Sequence, residues 1–149
     1  MPNIIHRIGT TKTTREQMYD AISTIGGLTK WWTTRVTGES KIGGILQFRF
    51  SEGGPDFQVI EMERSKRVEW KCVHGPVAWI DTHIEFTISK EGKETVLLFK
   101  HSGWREEVEF MYHCSTQWAY FLIGLRNYLE KGEGTPYGKN LQPISEWSK

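Results

Sequence analysis

The stretch that decides the fold is residues 105–131, REEVEFMYHCSTQWAYFLIGLRNYLEK. Val108, Met111, Ser115, Trp118, Leu122, Leu125 and Leu129 recur every three or four residues. At 3.6 residues per turn that spacing builds one apolar stripe along a helix. Glu106, Glu107 and Glu109 are expected in its first turns, and Arg126 and Lys131 lie near its end, the charge order that a helix dipole favours. Gly132 and Gly134 supply the stop. About 25 helical residues at about 1.5 Å each reach nearly 40 Å, the width of a whole sheet.

Upstream of this helix the hydrophobic period is two. Leu46, Phe48 and Phe50 alternate with Gln47 and Arg49. Val68, Trp70 and Cys72 alternate with Glu69 and Lys71. Ile80, Ile84, Phe86 and Ile88 alternate with polar neighbours, and Thr95 to Gly103 forms a last strand. Gly43-Gly44, the Gly-Pro segment 51–56, the polar turn 64–66 and Lys90 to Lys93 punctuate them. The chain opens on a strand over 3–10. An N-cap follows at Thr13 or Thr14, with Glu16 or Gln17 completing a capping box. Met18, Ala21, Ile22 and Ile25 give a short amphipathic helix expected to stop at Gly26-Gly27, and Leu28 to Thr33 one further helical turn carrying Trp31-Trp32.

Strands joined by short turns pair antiparallel, and a sheet with one apolar face needs a cover that only the terminal helix is long enough to give. The expected architecture is therefore α+β: a curved antiparallel sheet of six to seven strands around a long C-terminal helix, with two short helices after the first strand. The 149 residues fit one domain, 1–134, followed by a tail, 135–149, whose Leu141, Ile144 and Trp147 could anchor it. A net charge of +1, from 19 basic and 18 acidic residues scattered along the chain, leaves no basic stripe for nucleic acid. No apolar run reaches the roughly 20 residues that insert into a bilayer. Two cysteines, Cys72 and Cys114, make no disulfide framework and match no zinc spacing, and the expected location is the cytoplasm.

Several motifs in fixed order carry a family resemblance. They are Trp31-Trp32 after the first helix and Gly43-Gly44 before a Leu-x-Phe-x-Phe strand. Next come Arg67-Val68-Glu69-Trp70 and Leu97-Leu98-Phe99-Lys100-His101-Ser102-Gly103-Trp104. The set ends with Trp118, Leu122 and Leu125 to Glu130 in the final helix. Over about residues 3 to 131 the sequence resembles the START-like (SRPBCC, helix-grip) superfamily, and within it the bacterial homologues of the C-terminal domain of the heat-shock chaperone ATPase activator. The resemblance implies a hydrophobic cavity between sheet and helix. It implies no single activity, because that superfamily includes carriers, receptors, cyclases and chaperone cofactors.

On this reading the candidate ligand-binding residues are Trp31, Trp32, Phe48, Phe50, Trp70, Phe99, His101, Met111 and Trp118. The leading expectation is binding of a small, largely apolar molecule, with no cofactor, metal or assigned reaction. Trp31-Trp32 can gate the mouth or serve as core. His101 shares the inner face with Leu97 and Phe99, so it can orient a ligand, act as a general base, or be a satisfied core histidine bonded to backbone or to a hydroxyl such as Ser115. Glu61 sits on a strand of ambiguous alternation; pointing inward it would pair with His101 and support a cyclase- or hydrolase-like enzyme. Asp81, His83 and Glu85, with Trp79, read as a solvated outer row. A chaperone-cofactor module is the third reading, and a homodimer and a chaperone are the candidate protein partners.

Overall fold

A computed structural model describes residues 2–138. The order of elements is β1 (Ile4–Thr10), α1 (Arg15–Ser23), α2 (Ile25–Leu28), β2 (Arg35–Gly38), β3 (Ile45–Arg49), β4 (Asp56–Glu63), β5 (Arg67–His74), a single 3-10 turn (Val77–Trp79), β6 (His83–Glu91), β7 (Glu94–Ser102) and α3 (Glu109–Lys131). The seven strands form one antiparallel sheet in the order β1-β7-β6-β5-β4-β3-β2, so each strand from β2 to β7 lies beside its sequence neighbour and β1 closes against β7. Phe48, Val68, Trp70, Ile84, Phe86, Leu97 and Phe99 project from the inner face and are buried against the helices.

Local chemistry sets the helix ends. Thr14 caps α1, its hydroxyl accepting from the Gln17 N–H while the Gln17 side chain accepts from the Thr14 N–H. α1 ends at Ser23, and the expected stop at Gly26-Gly27 is instead the interior of α2, capped by Thr24. Gly27 is there for closeness. A Cβ on it would lie 2.5 Å from the Asp20 carbonyl oxygen and 2.7 Å from Ala21 Cα. The long helix begins at Glu109, four residues later than the sequence pattern suggests; 103–108 are a connection, so Glu106 and Glu107 lie outside the first turn. Its C-terminus closes on Gly132 at φ 81°, a conformation glycine adopts without steric cost.

Two further differences place side chains. Ile80 lies outside the strand expected for it: the chain makes the 3-10 turn, passes Asp81 at φ 70°, and only then enters β6. Trp79 is consequently core and not part of an outer row. Residues 135–138 pack back on the turn after α2 and on the sheet. Tyr137 exchanges backbone hydrogen bonds with Trp32 and Thr34, and its ring lies 5.5 Å from that of Phe50. Leu141, Ile144 and Trp147 lie outside the described residues. No helix among the described residues is long and apolar enough to cross a membrane.

Candidate functional site

Each of the nine residues singled out from sequence is buried, and they converge on one aromatic cluster between sheet and α3. Trp32 is its hub: its ring centroid lies 4.4 Å from Phe48, 5.4 Å from Phe50, 4.8 Å from Trp118 and 6.4 Å from Trp70. Trp31 stacks on Trp32 at 6.3 Å and donates its indole N–H to the Ala21 carbonyl at 2.8 Å. Both indoles turn inward because they sit in a turn after α2 and not in a continuing helix, where successive side chains diverge by about 100°. The rings touch one another, so a molecule entering this interior has to displace side chains.

His101 is fully buried at the end where β7 leads to α3. The Trp118 indole N–H donates to its Nδ1 at 3.2 Å, which fixes Nδ1 as the unprotonated nitrogen. Nε2 therefore carries the proton and donates to Thr82 Oγ1 at 2.8 Å, and the Thr82 hydroxyl donates onward to the Trp79 carbonyl. The rings of Trp79 and Trp104 pack at 4.8 and 4.9 Å. Desolvation lowers the imidazole pKa to about 3, so the ring is neutral. Its lone pair is occupied by Trp118, which leaves none free to abstract a proton. Ser115, one partner considered for His101, instead meets His6, whose Nε2 lies 3.1 Å from the Ser115 carbonyl and 3.2 Å from its hydroxyl. His6 gives no sequence signal beyond its inner-face parity in β1.

Glu61 does not approach His101. Val59 pairs with Trp70 and Glu61 with Glu69, so Ile60 is an extra residue in β4. This bulge reverses the alternation and turns Glu61 to the outer face. There Arg67 binds three carboxylates: Glu61 at 2.5 Å, Glu69 at 2.7 Å and Glu85 at 2.9 Å. His83 Nδ1 lies 2.6 Å from Glu69. Among the described residues no group of three or more His, Cys, Asp or Glu is placed to hold a metal ion. Cys72 and Cys114 are free and buried, and burial pushes each thiol up to about 12.

Among the described residues two indole donors make no hydrogen bond, the buried Nε1–H groups of Trp70 and Trp104. No Lys, Arg, Asp or Glu is buried anywhere in the described chain; the buried polar residues are Thr10, Thr13, Ser23, Thr33, Thr82, Thr95, His101 and Gln117. The interior is thus uncharged and aromatic, and beside the two indole donors the Gln117 Oε1 acceptor is buried there without a hydrogen bond. A groove of about 540 Å³ lies elsewhere, on the outer face of β1, β7 and β6, lined by Ile5, Arg7, Glu85, Thr87, Leu98 and Lys100 among others.

A curved seven-stranded antiparallel sheet closed on a C-terminal helix defines a helix-grip protein. Residues 12–130 match the profile of the family described as Activator of Hsp90 ATPase homolog 1-like protein, and the chain belongs to that family. The Aha1 dimer from Colwellia psychrerythraea, solved in solution, is 42% identical with a TM-score of 0.83, over 90% of this chain and 100% of that one. The protein SSP2350 from Staphylococcus saprophyticus shares the fold at 17% identity and a TM-score of 0.73, covering 90% of this chain and 96% of its own. CalU16 from Micromonospora echinospora does so at 18% and 0.74, covering 97% and 78%. No curated protein sequence matches the chain significantly.

Proposed function

We propose that this protein binds a small, neutral, largely apolar molecule carrying a hydrogen-bond acceptor, taken up between the sheet and the first half of α3. The observation that carries the reading is that two buried indole donors, those of Trp70 and Trp104, make no hydrogen bond. Each such donor costs about 1–3 kcal/mol while unpaired, and a ligand carbonyl or ether would recover that energy. With no buried cation and with His101 neutral, a carboxylate in the same place would lose its hydration without compensation. The connection 103–108, which holds Trp104 and leads into α3, is the wall that would move to admit the ligand.

Titration of intrinsic tryptophan fluorescence with a long-chain methyl ketone, the matching alkane and the matching fatty acid tests this. The ketone is expected to bind about 10- to 100-fold more tightly than the alkane, the ratio that one recovered hydrogen bond of this kind allows. Equal affinities, or preference for the ionised acid, would refute it.

The 42% identity to a dimeric relative supports homodimerisation of this chain as well. Two free, buried thiols support a reducing compartment, the cytoplasm. The family description supports a second reading, a chaperone cofactor. Stimulation of the ATPase of an Hsp90-type chaperone by the purified protein tests it, and an unchanged turnover rate would count against it.

A further inference from the structure

The outer face of the sheet is divided. On the β1/β7 side stand Ile5, exposed by 68%, and Leu98, exposed by 48%, with Arg7 and Lys100 between and beside them. Arg7 is neutralised by Glu94 at 2.8 Å. Among the described residues Lys100 makes no ion pair: its cross-strand neighbour Glu85 is already engaged by Arg67 and Ser102. On the β4/β5 side two carboxylates, Glu61 and Glu69, share the one guanidinium of Arg67 with Glu85 of the central strand β6, and Glu69 also meets His83 of β6 at 2.6 Å. One half of the face therefore carries exposed hydrocarbon and an unpaired cation, and the other half carries an excess of negative charge.

A surface divided in this way is complementary to itself, which is the requirement for an isologous two-fold contact. We propose that this face is the homodimer interface, a second copy of the chain seated on the β1/β7 groove with its acidic β4/β5 half. A two-fold axis lying in the contact plane along β6 exchanges the two halves. It brings Lys100 of each copy over Glu61 and Glu69 of the other, and Leu98 over the aliphatic stem of Arg67. Five strands about 4.8 Å apart and about eight residues long make a face of about 500 Å² in flat projection. Side chains standing on it raise the accessible area toward the roughly 800 Å² per partner of a standard interface. The inference rests on the homodimer reading and adds the surface to it.

The test is light scattering on size-exclusion chromatography with the full chain and three variants: Leu98→Glu, Lys100→Glu and Glu61→Lys. All three positions are exposed, and thermal melts verify that the variants fold. The parent is expected to be a dimer and each single variant a monomer. An equimolar mixture of the Lys100→Glu and Glu61→Lys chains should regain the dimer, because both contacts of the mixed pair are again of opposite sign. A parent that is monomeric at every concentration overturns the homodimer reading and this surface with it. A dimer that survives Leu98→Glu and Lys100→Glu keeps the homodimer and overturns the surface. Monomeric variants that fail to recombine overturn the charge pairing and the axis along β6.

Discussion

Replacing Thr82 with valine keeps the volume of a fully buried side chain and deletes one hydroxyl. That hydroxyl receives the His101 Nε2–H at 2.8 Å and donates to the Trp79 carbonyl. The carbonyl loses little, because it also accepts the Thr82 backbone N–H at 2.9 Å. The imidazole donor loses its only acceptor. Shifting the proton to Nδ1 gives no escape, because the Trp118 indole would then face a second donor 3.2 Å away. The expected cost is one orphaned buried donor, about 1–3 kcal/mol. At this chain length that corresponds to roughly 2–4 °C in Tm per kcal/mol. Urea denaturation is the assay, with the midpoint falling and the m-value unchanged. In the background of His101→Phe, where the donor is gone, Thr82→Val should cost much less. A Thr82→Val midpoint equal to that of the parent, or equal costs in both backgrounds, would refute the hydrogen-bond chain described for His101.

Acid should destabilise the protein through the same residue. Its pKa is about 3 when folded and near 6.5 when unfolded, so its stabilising contribution is complete above pH 6.5. As pH falls below that the unfolded chain takes up the proton and the folded one does not, and stability drops by about 1.4 kcal/mol per unit. The groups facing the ring, Thr82, Trp79, Trp104 and Trp118, are uncharged; His6 is also lowered by burial and adds in the same direction. Urea midpoints between pH 7 and pH 5 should therefore fall less in His101→Phe than in the parent, and parallel curves would contradict this. The paired glycines of α2 should behave oppositely. Gly27→Ala forces a Cβ into the backbone of α1 and should cost about 1–3 kcal/mol, whereas nothing lies within 4 Å of a Cβ on Gly26, and Gly26→Ala should be neutral or stabilising by up to about 1 kcal/mol. Like effects on the urea midpoint at the two positions would show that close approach of the helices is not what Gly27 provides.

Much of the fold is legible in the sequence because two periodicities carry it. The three-four stripe from Val108 to Leu129 and the alternation around Phe48, Trp70, Phe86 and Phe99 each assign a face locally, and burial follows. The capping box at Thr14 and the stop at Gly132 are equally local, since each concerns backbone groups within one turn. For the same reason Phe48, Phe50, Trp70, Phe99 and His101 could be named from strand parity and Met111 and Trp118 from helical spacing, whereas the adjacent Trp31 and Trp32 both face inward only because of the turn after α2.

What only the tertiary structure decided is who meets whom. His101 finds its partners at Thr82 and Trp118, set by strand register and by the rotation of α3. Glu61 faces outward because Ile60 is an extra residue, and a bulge shows only when two strands are laid side by side. Trp79 enters the core because the chain turns at Asp81 before β6 begins. The groove of Ile5, Leu98 and Lys100 joins residues more than ninety positions apart through the pairing of β1 with β7. Alternation and helical period are properties of one segment and can be read along it. Register, bulges and the sharing of Arg67 among Glu61, Glu69 and Glu85 are properties of pairs, and exist only once the sheet has formed.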